Sequence, residues 1–334
     1  MRRANGLFER AVSFQALHAA ALRAAQGKKD REEVARFFFD LETELVRLER
    51  ELRGGTWRPA PFRTFTVYDP KERTISAAPF PDRVVHHALC AVLAPVIERR
   101  LIHDTYACRM GKGTGAALAR VRQYARRFPF FLKLDIEKFF PSVDQAILKL
   151  VLRSIVKDVP FLKLLDLIID HGGEDGVGLP IGNLTSQWFA NLYLDGLDHL
   201  VKEVLRVAGY GRYMDDVVLL GTHKGDLRGA EQRVSEWLER ERRLVLKERA
   251  TMLGRTQDGV PFLGWRVYPG MLRRQRVSLK RSVRRLRLRE AQWRAGRLSN
   301  AKLVQAVQSV YAHMGGHGTL GLRRRLAGRA RADP

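Results

Sequence analysis

Two short apolar runs, each ending in acidic residues, constrain this chain more than anything else in it. From Phe128 the sequence reads Phe-Pro-Phe-Phe-Leu-Lys-Leu-Asp-Ile-Glu-Lys-Phe-Phe, which reads as a buried strand that delivers Asp135 at its end. Farther on, a Gly-punctuated hairpin carries Tyr213-Met214-Asp215-Asp216 at its turn, with Val217 to Leu220 leading away. If the two strands are neighbours, three carboxylates converge, and mutually repelling charges need a reason to be together. Phosphoryl transfer from a nucleoside triphosphate supplies one. It uses two divalent cations about 4 Å apart, one activating the attacking hydroxyl and the other holding the leaving pyrophosphate. Hard oxygen ligands must hold both. Taken alone the Tyr213–Asp216 turn is a weak signal, since an acidic pair is ordinary at a polar turn.

With 334 residues and a 45% apolar fraction, the chain can bury a full core and divide into two or three lobes, which excludes a mainly disordered protein. Its 60 Lys and Arg against 36 Asp and Glu, a formal charge of +24, suit a polyanionic partner. Nucleic acid is favoured over a membrane, because no uninterrupted apolar stretch approaches the roughly 18 to 20 residues of a bilayer span. The stretch from Met1 to Gln26 is Arg-bearing and Ala-rich but lacks a hydrophobic segment and contains Glu9, so a cytoplasmic location is expected. Cys90 and Cys108 are the only cysteines, too few for a disulfide scaffold or a four-ligand zinc site. His86 and Cys90 stand four apart on a helical stretch, where a metal pair is conceivable, but they read as core residues.

Along the chain, the pattern predicts amphipathic helices over Leu7–Gln26 and Arg31–Leu52, extended segments around Phe62–Tyr68 and Arg73–Ala77, and a helix from Asp82 to about Leu101. Helices are expected over Gln145–Ile169. A Gly-rich segment from Gly172 to Gly182 opens a long helix through about Val207, and another helix covers Leu227 to about Arg243. A short strand pair follows through Val260–Val267. From Met271 to Pro334 there are 17 Arg or Lys against two acids, broken by Val283, Leu286, Leu303, Val307 and Tyr311 at helical spacing. Such a run is often a solvated face, but beside a catalytic core it favours a lobe that grips a duplex.

Specificity comes from the order of the pieces. Lys133 to Phe140, then Gly178-Leu179-Pro180-Ile181-Gly182-Asn183-Leu184-Thr185-Ser186-Gln187, then Tyr213 to Asp216, then Phe262-Leu263-Gly264-Trp265 resemble the successive palm motifs of reverse transcriptases. Arg73-Thr74-Ile75 with Pro79, Asp82 and Arg83, and Tyr106 to Arg109 with Gly111, Gly113 and Thr114, resemble the fingers motifs of bacterial members. The resemblance covers about Thr64 to Trp265. It implies an α+β right-hand polymerase: an N-terminal helical extension (1–63), fingers (64–127), a palm of small antiparallel sheet plus helices (128–270, with a helical insertion about 145–177 packing toward the fingers), and a basic helical thumb (271–334). The implied activity is RNA-directed DNA polymerisation with two Mg²⁺ ions, for which Mn²⁺ can substitute.

The same resemblance assigns roles only at matching positions. Asp135 and Asp215 are expected to bind both metals, with Asp216 beside them and the Ile136 carbonyl as a backbone ligand. Phe140 stands where the family places an aromatic gate against a ribose 2′-hydroxyl, with Phe139 an alternative inward ring. Arg73 and Arg109 are placed for triphosphate or template phosphates, where a guanidinium fork suits bidentate contact. Ile181, Gly182, Ser186, Gln187 and Tyr213 are expected near the nucleotide or template, and Phe262 to Trp265 resembles the primer grip. Lys247 is a weak match for a proton donor to pyrophosphate, since the family's lysine falls nearer Thr251, where Ala250 stands.

Many members have Gln before the glycine and Ser-Pro at the end of the second motif, whereas Ile181 and Gln187 stand here. That form, with Tyr106 to Thr114 and the tail around Ser309, Tyr311 and His313, resembles the enzymes of diversity-generating retroelements. Such an enzyme performs mutagenic retrohoming, copying an RNA template with errors at adenines beside a small basic accessory protein. The expected partners are therefore an RNA template, a DNA or RNA primer, deoxynucleoside triphosphates and that accessory protein. The competing readings are another bacterial or phage reverse transcriptase (retron, group II intron-like or phage defence), an RNA-binding or splicing cofactor without catalysis, and an RNA polymerase of the same palm. A bulky Phe140 counts against the last.

Overall fold

The computed structural model describes residues 3–68, 72–314 and 324. The N-terminal region forms four helices rather than the expected two: α1 (Leu7–Val12), α2 (Phe14–Ala24), α3 (Glu32–Phe39) and α4 (Leu41–Arg53). The break after α1 is chemical. Ser13 is extended and its hydroxyl accepts from the Ala16 N–H, a cap that ends one helix and starts the next. Asp40 leaves helical geometry between α3 and α4.

An antiparallel ribbon follows, β1 (Arg63–Tyr68) with β2 (Glu72–Ala77), and leads into α5 (Phe80–Glu98). By length and hydropathy α5 could cross a bilayer, but it is mostly buried as the central helix of the largest core, with Val84, Leu89, Leu93 and Ile97 all at 0–1% exposure. His86 and Cys90 are buried within it. Burial lowers the His86 pKa to about 3 and pushes the Cys90 thiol up.

Beyond α6 (Thr114–Ala125) and β3 (Phe130–Asp135) come α7 (Gln145–Ile155), α8 (Val159–His171), α9 (Leu184–Tyr193) and α10 (Asp195–His199). The single helix expected from 182 to 207 is instead divided. The chain leaves helical geometry at Leu194, between α9 and α10, and α10 runs into a π turn over Leu200–Val204. Asp158, before α8, accepts from the N–H groups of Leu7 and Phe8 at 2.6 and 3.0 Å, which ties this part of the chain to the N-terminal helices.

The remaining elements are β4 (Gly209–Tyr213), β5 (Asp216–Gly221), α11 (Lys224–Arg242), β6 (Met252–Arg255), β7 (Val260–Phe262), β8 (Trp265–Val267), β9 (Leu272–Arg274), α12 (Arg276–Arg294) and α13 (Asn300–Met314). Neither β6 nor β9 is announced by the sequence pattern. One antiparallel sheet has the order β4-β5-β3-β6 and a smaller one β7-β8-β9.

The period-2 alternation of the strands sends their side chains into two different cores. Leu132, Leu134, Val217 and Leu219 join the large helical core. Phe131, Val218 and Leu220 join a second core with Leu118, Val121 and Tyr124 of α6 and Phe262 and Trp265 of the small sheet. A sheet buried on both faces can open to solvent only at its ends. The C-terminal helices differ: among the described residues their buried apolar contact is Leu286 with Val310, backed by Val307. Most of the stretch beyond 314, and the His313 side chain, lie outside the described residues.

Candidate active site

The strand register fixes the carboxylates. Asp135, the last residue of β3, pairs directly with Asp216, the first of β5, and Tyr213 at the end of β4 also faces Asp216. Met214 and Asp215 make the two-residue turn between them. Met214 takes φ +55°, a left-handed conformation costly for a side chain with a Cβ.

Past Asp135 the chain pairs with the segment after α11: Glu137 N–H donates to the Val245 carbonyl and Lys247 N–H to the Asp135 carbonyl. This pattern makes Ile136 and Leu246 a non-hydrogen-bonded pair, so the Ile136 N–H and C=O point away from Leu246, toward the β5 side. The Ile136 side chain itself is buried in the core.

The electrostatics are those of crowded acids. Burial, then the Asp135 charge, push the Asp215 pKa up, while Arg73 on β2 and Lys133 pull it back. Asp216 is pushed up to about 6, chiefly by burial, against an opposing pull from Lys133. Lys133 Nζ lies 3.3 Å from Asp216 Oδ1, an ion pair without hydrogen-bond geometry. The Leu263 N–H also favours the charged form of Asp216. Among the described residues no three His, Cys, Asp or Glu side chains already converge as a metal-ligand set. Asp216 is turned to Lys133, while Asp135 and Asp215 are close enough for the charge of one to raise the pKa of the other. Carboxylate oxygens whose ionised form is disfavoured by burial and by a neighbouring acid suit divalent cations, whose charge offsets both. Lys133 is a site residue that sequence reasoning missed. Its place two residues before Asp135 puts it on the same face and was the available signal.

The second motif is docked on the ribbon. Ser76 N–H donates to the Ile181 carbonyl at 2.9 Å, and Asn183 accepts from Ala78 N–H while donating to the Ser76 carbonyl. Gly182 has φ +119°, and a Cβ there would lie 2.8 Å from Ile75 Cγ2, so glycine is required twice over. Gln187 is half-buried and accepts from Cys108 Sγ at 3.0 Å, linking the second motif to the Tyr106–Thr114 segment.

Three expectations are corrected. Arg109 is 8% exposed at its side chain: Nε and Nη2 grip the Glu98 carboxylate at 2.6–3.0 Å, and Nη1 donates to the Ile102 and Thr105 carbonyls. It is an internal strut with its fork already filled, and not a phosphate ligand. Ser186 is 2% exposed and lines a small crevice with His86, His171 and Pro180, so its side chain serves the interior of the fold. In the primer-grip match, Phe262 and Trp265 are buried at 0% and 1%; only Leu263 and Gly264 reach outward. Those two form the β7–β8 turn at φ +48° and +78°, the backbone of a type I′ hairpin. The two adjacent rings also separate: Phe139 is a 2% exposed core residue, whereas Phe140 is half-buried and packs edge-on against it, centroids 5.3 Å apart. Tyr213 is half-buried.

Residues 69–267, more than half of the chain, match the family described as "Reverse transcriptase (RNA-dependent DNA polymerase)". Among curated proteins, the chain is 21% identical over 178 residues to the putative COX1/OXI3 intron 1 protein of Saccharomyces cerevisiae, covering 50% of this chain and 21% of that protein. It is 22% identical over 173 residues to the group II intron-encoded protein LtrA of Lactococcus lactis, covering 49% and 29%. The match thus spans less than a third of either relative's length. Telomerase from Candida albicans, solved with a fragment of telomeric RNA, is a distant likeness, 11% identical at a TM-score of 0.49, covering 69% of this chain and 50% of that one.

Proposed function

Because the chain belongs to the reverse transcriptase family, we propose that it extends a primer on an RNA template with deoxynucleotides by two-metal phosphoryl transfer. The observation that carries the reading is the pairing of Asp135 with Asp216 at one end of a sheet buried on both faces, with Asp215 in the adjoining turn. In it, residues 1–63 are an N-terminal extension, 64–127 the fingers, 128–270 the palm and 271 onward the thumb. Asp135, Asp215 and the Ile136 carbonyl, with Asp216 beside them, would hold Mg²⁺, or Mn²⁺ in its place, which would supply positive charge for the attacking hydroxyl and the leaving pyrophosphate.

The chain's own groups do the rest. Arg73, exposed on β2 and close enough for Asp215 to feel its charge, takes the triphosphate. Lys133 holds Asp216 in place. Phe140 excludes a ribose 2′-hydroxyl, and Ile181, Gly182, Gln187 and Tyr213 lie along the templating base and incoming sugar. Leu263 and Gly264 steady the primer end through their backbone.

Primer extension on RNA with deoxy- or ribonucleotides tests this. Wild type extends with deoxynucleotides and Mg²⁺ or Mn²⁺, and Asp135→Ala, still folded by circular dichroism, loses on the order of a thousandfold in rate, since it removes a metal scaffold worth several kcal/mol. Near-normal extension by folded Asp135→Ala sinks the assignment. Phe140→Ala gains ribonucleotide use; a gain in Phe139→Ala alone would give the gate to the other ring.

As for biological role, the Ile181 to Gln187 form of the second motif supports a diversity-generating retroelement enzyme with errors at template adenines and a small basic accessory partner. The intron-encoded relatives support an intron-type enzyme equally well. Sequencing cDNA copied from a balanced template separates the two: uniform low errors reject the retroelement role, and errors concentrated at adenines reject the intron-type one.

A further inference from the structure

Behind the acidic turn lies a fully buried ion pair that the chemistry above leaves unused. Arg212 is on β4, on the opposite face from Tyr213, and its side chain and that of Asp198 on α10 are both 0% exposed. The contact is a bidentate fork: Nε to Asp198 Oδ1 and Nη2 to Oδ2, each 2.6 Å. Tyr210 OH and Thr105 Oγ1 complete the Asp198 shell at 2.6 and 3.0 Å, so this carboxylate is saturated with donors. The guanidinium then has hydrogens to spare, and it directs them forward. Nη2 donates to the Asn191 carbonyl at 3.3 Å, and Nη1 donates to the Met214 carbonyl at 3.2 Å.

That last contact joins the buried pair to the reaction. The Met214 carbonyl belongs to the peptide plane from which Asp215 projects, and Met214 is the turn residue held at φ +55°. A turn of this kind prefers glycine at its first central position. With Met214 there, a donor aimed at its carbonyl keeps the plane from rotating. The strand beneath is equally fixed, since Arg212 N–H donates to the Asp104 carbonyl and its own carbonyl accepts from Tyr106 N–H.

We propose that Arg212 is a positioning residue for Asp215: anchored on Asp198, it sets the Met214–Asp215 peptide plane and with it the direction of the metal-binding carboxylate. The inference rests on Asp215 being a metal ligand. It separates Arg212 from an ordinary buried pair, which would keep the strand in register without affecting metal affinity.

Arg212→Lys keeps a cation opposite Asp198 but lacks the planar fork that also reaches Met214. Three quantities are measured: the melting temperature, Mn²⁺ binding by calorimetry to the complex with primer, template and a non-extendable nucleotide, and single-turnover extension. We expect a folded protein with wild-type affinity for primer and template, a Mn²⁺ dissociation constant raised about tenfold, and a chemical step slowed about a hundredfold. A folded Arg212→Lys with wild-type Mn²⁺ affinity and rate overturns the proposal, provided Asp215→Ala is inactive in the same assay. An active Asp215→Ala overturns instead the ligand assignment beneath it. If Arg212→Lys does not fold, Arg212→Met with Asp198→Leu, which removes both buried charges together, is judged on the same readouts: weakened Mn²⁺ binding supports the proposal and wild-type binding overturns it.

Discussion

The four-stranded sheet and the C-terminal helices are built on opposite principles. In β3, β4 and β5 most side chains alternate into one of two cores, the Met214 carbonyl in the turn accepts from Arg212 behind it, and the acids emerge where the ladder ends. Among the described residues of α12 and α13 the buried seam shrinks to Leu286 and Val310, backed by Val307, and most other positions are exposed. A metal-binding centre needs its ligands held to fractions of an ångström. A surface that follows a phosphate backbone needs charge density and can tolerate movement. The two regions therefore differ in how much of their sequence goes into packing.

The comparison breaks first on stability. Trp265→Ala removes a 1% exposed ring from the second core and is expected to cost about 3–5 kcal/mol, whereas Leu286→Ala, in a three-residue seam, costs under about 2 kcal/mol. Urea titration measures both, and equal costs would mean that α12 is packed as tightly as the sheet.

A smaller effect comes from the acids. The Asp216 pKa in the folded protein is raised to about 6, so the folded state holds a proton that the unfolded chain has released. Without metal, the contribution of this group to stability is therefore greatest below about pH 4 and falls as pH rises to about 6, by about 3 kcal/mol at most. Asp215 shifts in the same direction and adds to the loss. Metal affinity runs the other way, rising through the same window as protons leave. Melting curves of the wild type and Asp216→Asn from pH 4 to 7 test this, and an unchanged pH dependence in the variant removes Asp216 from the account.

The smallest effect concerns the basic helices. Replacing the exposed Arg284 and Arg287 with Ala should reduce the slope of log affinity against log salt for primer–template by about 0.9 for each phosphate that the variant no longer neutralises. An unchanged slope would make that face of α12 a solvated surface.

How much was legible in the sequence follows the same division. β3, β4 and β5 could be read because an apolar run, a turn and acidic residues coincide there, and the local pattern and the tertiary pairing agree. β6 and β9 could not: Met252 to Arg255 and Leu272 to Arg274 are short and mixed in polarity, and only their pairing with β3 and β8 makes them strands. Arg109 and Ser186 were misread for a related reason. A motif fixes the residue type but not which side of the backbone it serves, and Glu98 and the α5–α9 interior claim those two side chains. Gln187 keeps its expected neighbourhood but is tied down by Cys108, a contact that no local pattern announces. Lys133 was legible from alternation alone and went unread.

The clasp between Gly182 and Ile75 limits how enzymes of this type can be assembled from parts. The ribbon that carries Arg73 and the segment that carries Ile181 are about a hundred residues apart in the chain, yet they meet across a gap that has no room for one methyl group. Two clamps by Asn183 lock the same seam. A ribbon borrowed from a related enzyme by recombination would bring its own residue at position 75 and its own strand curvature to a partner shaped for another. A chimera that takes the two segments from different enzymes is therefore expected to fail at this seam even when both halves are individually sound.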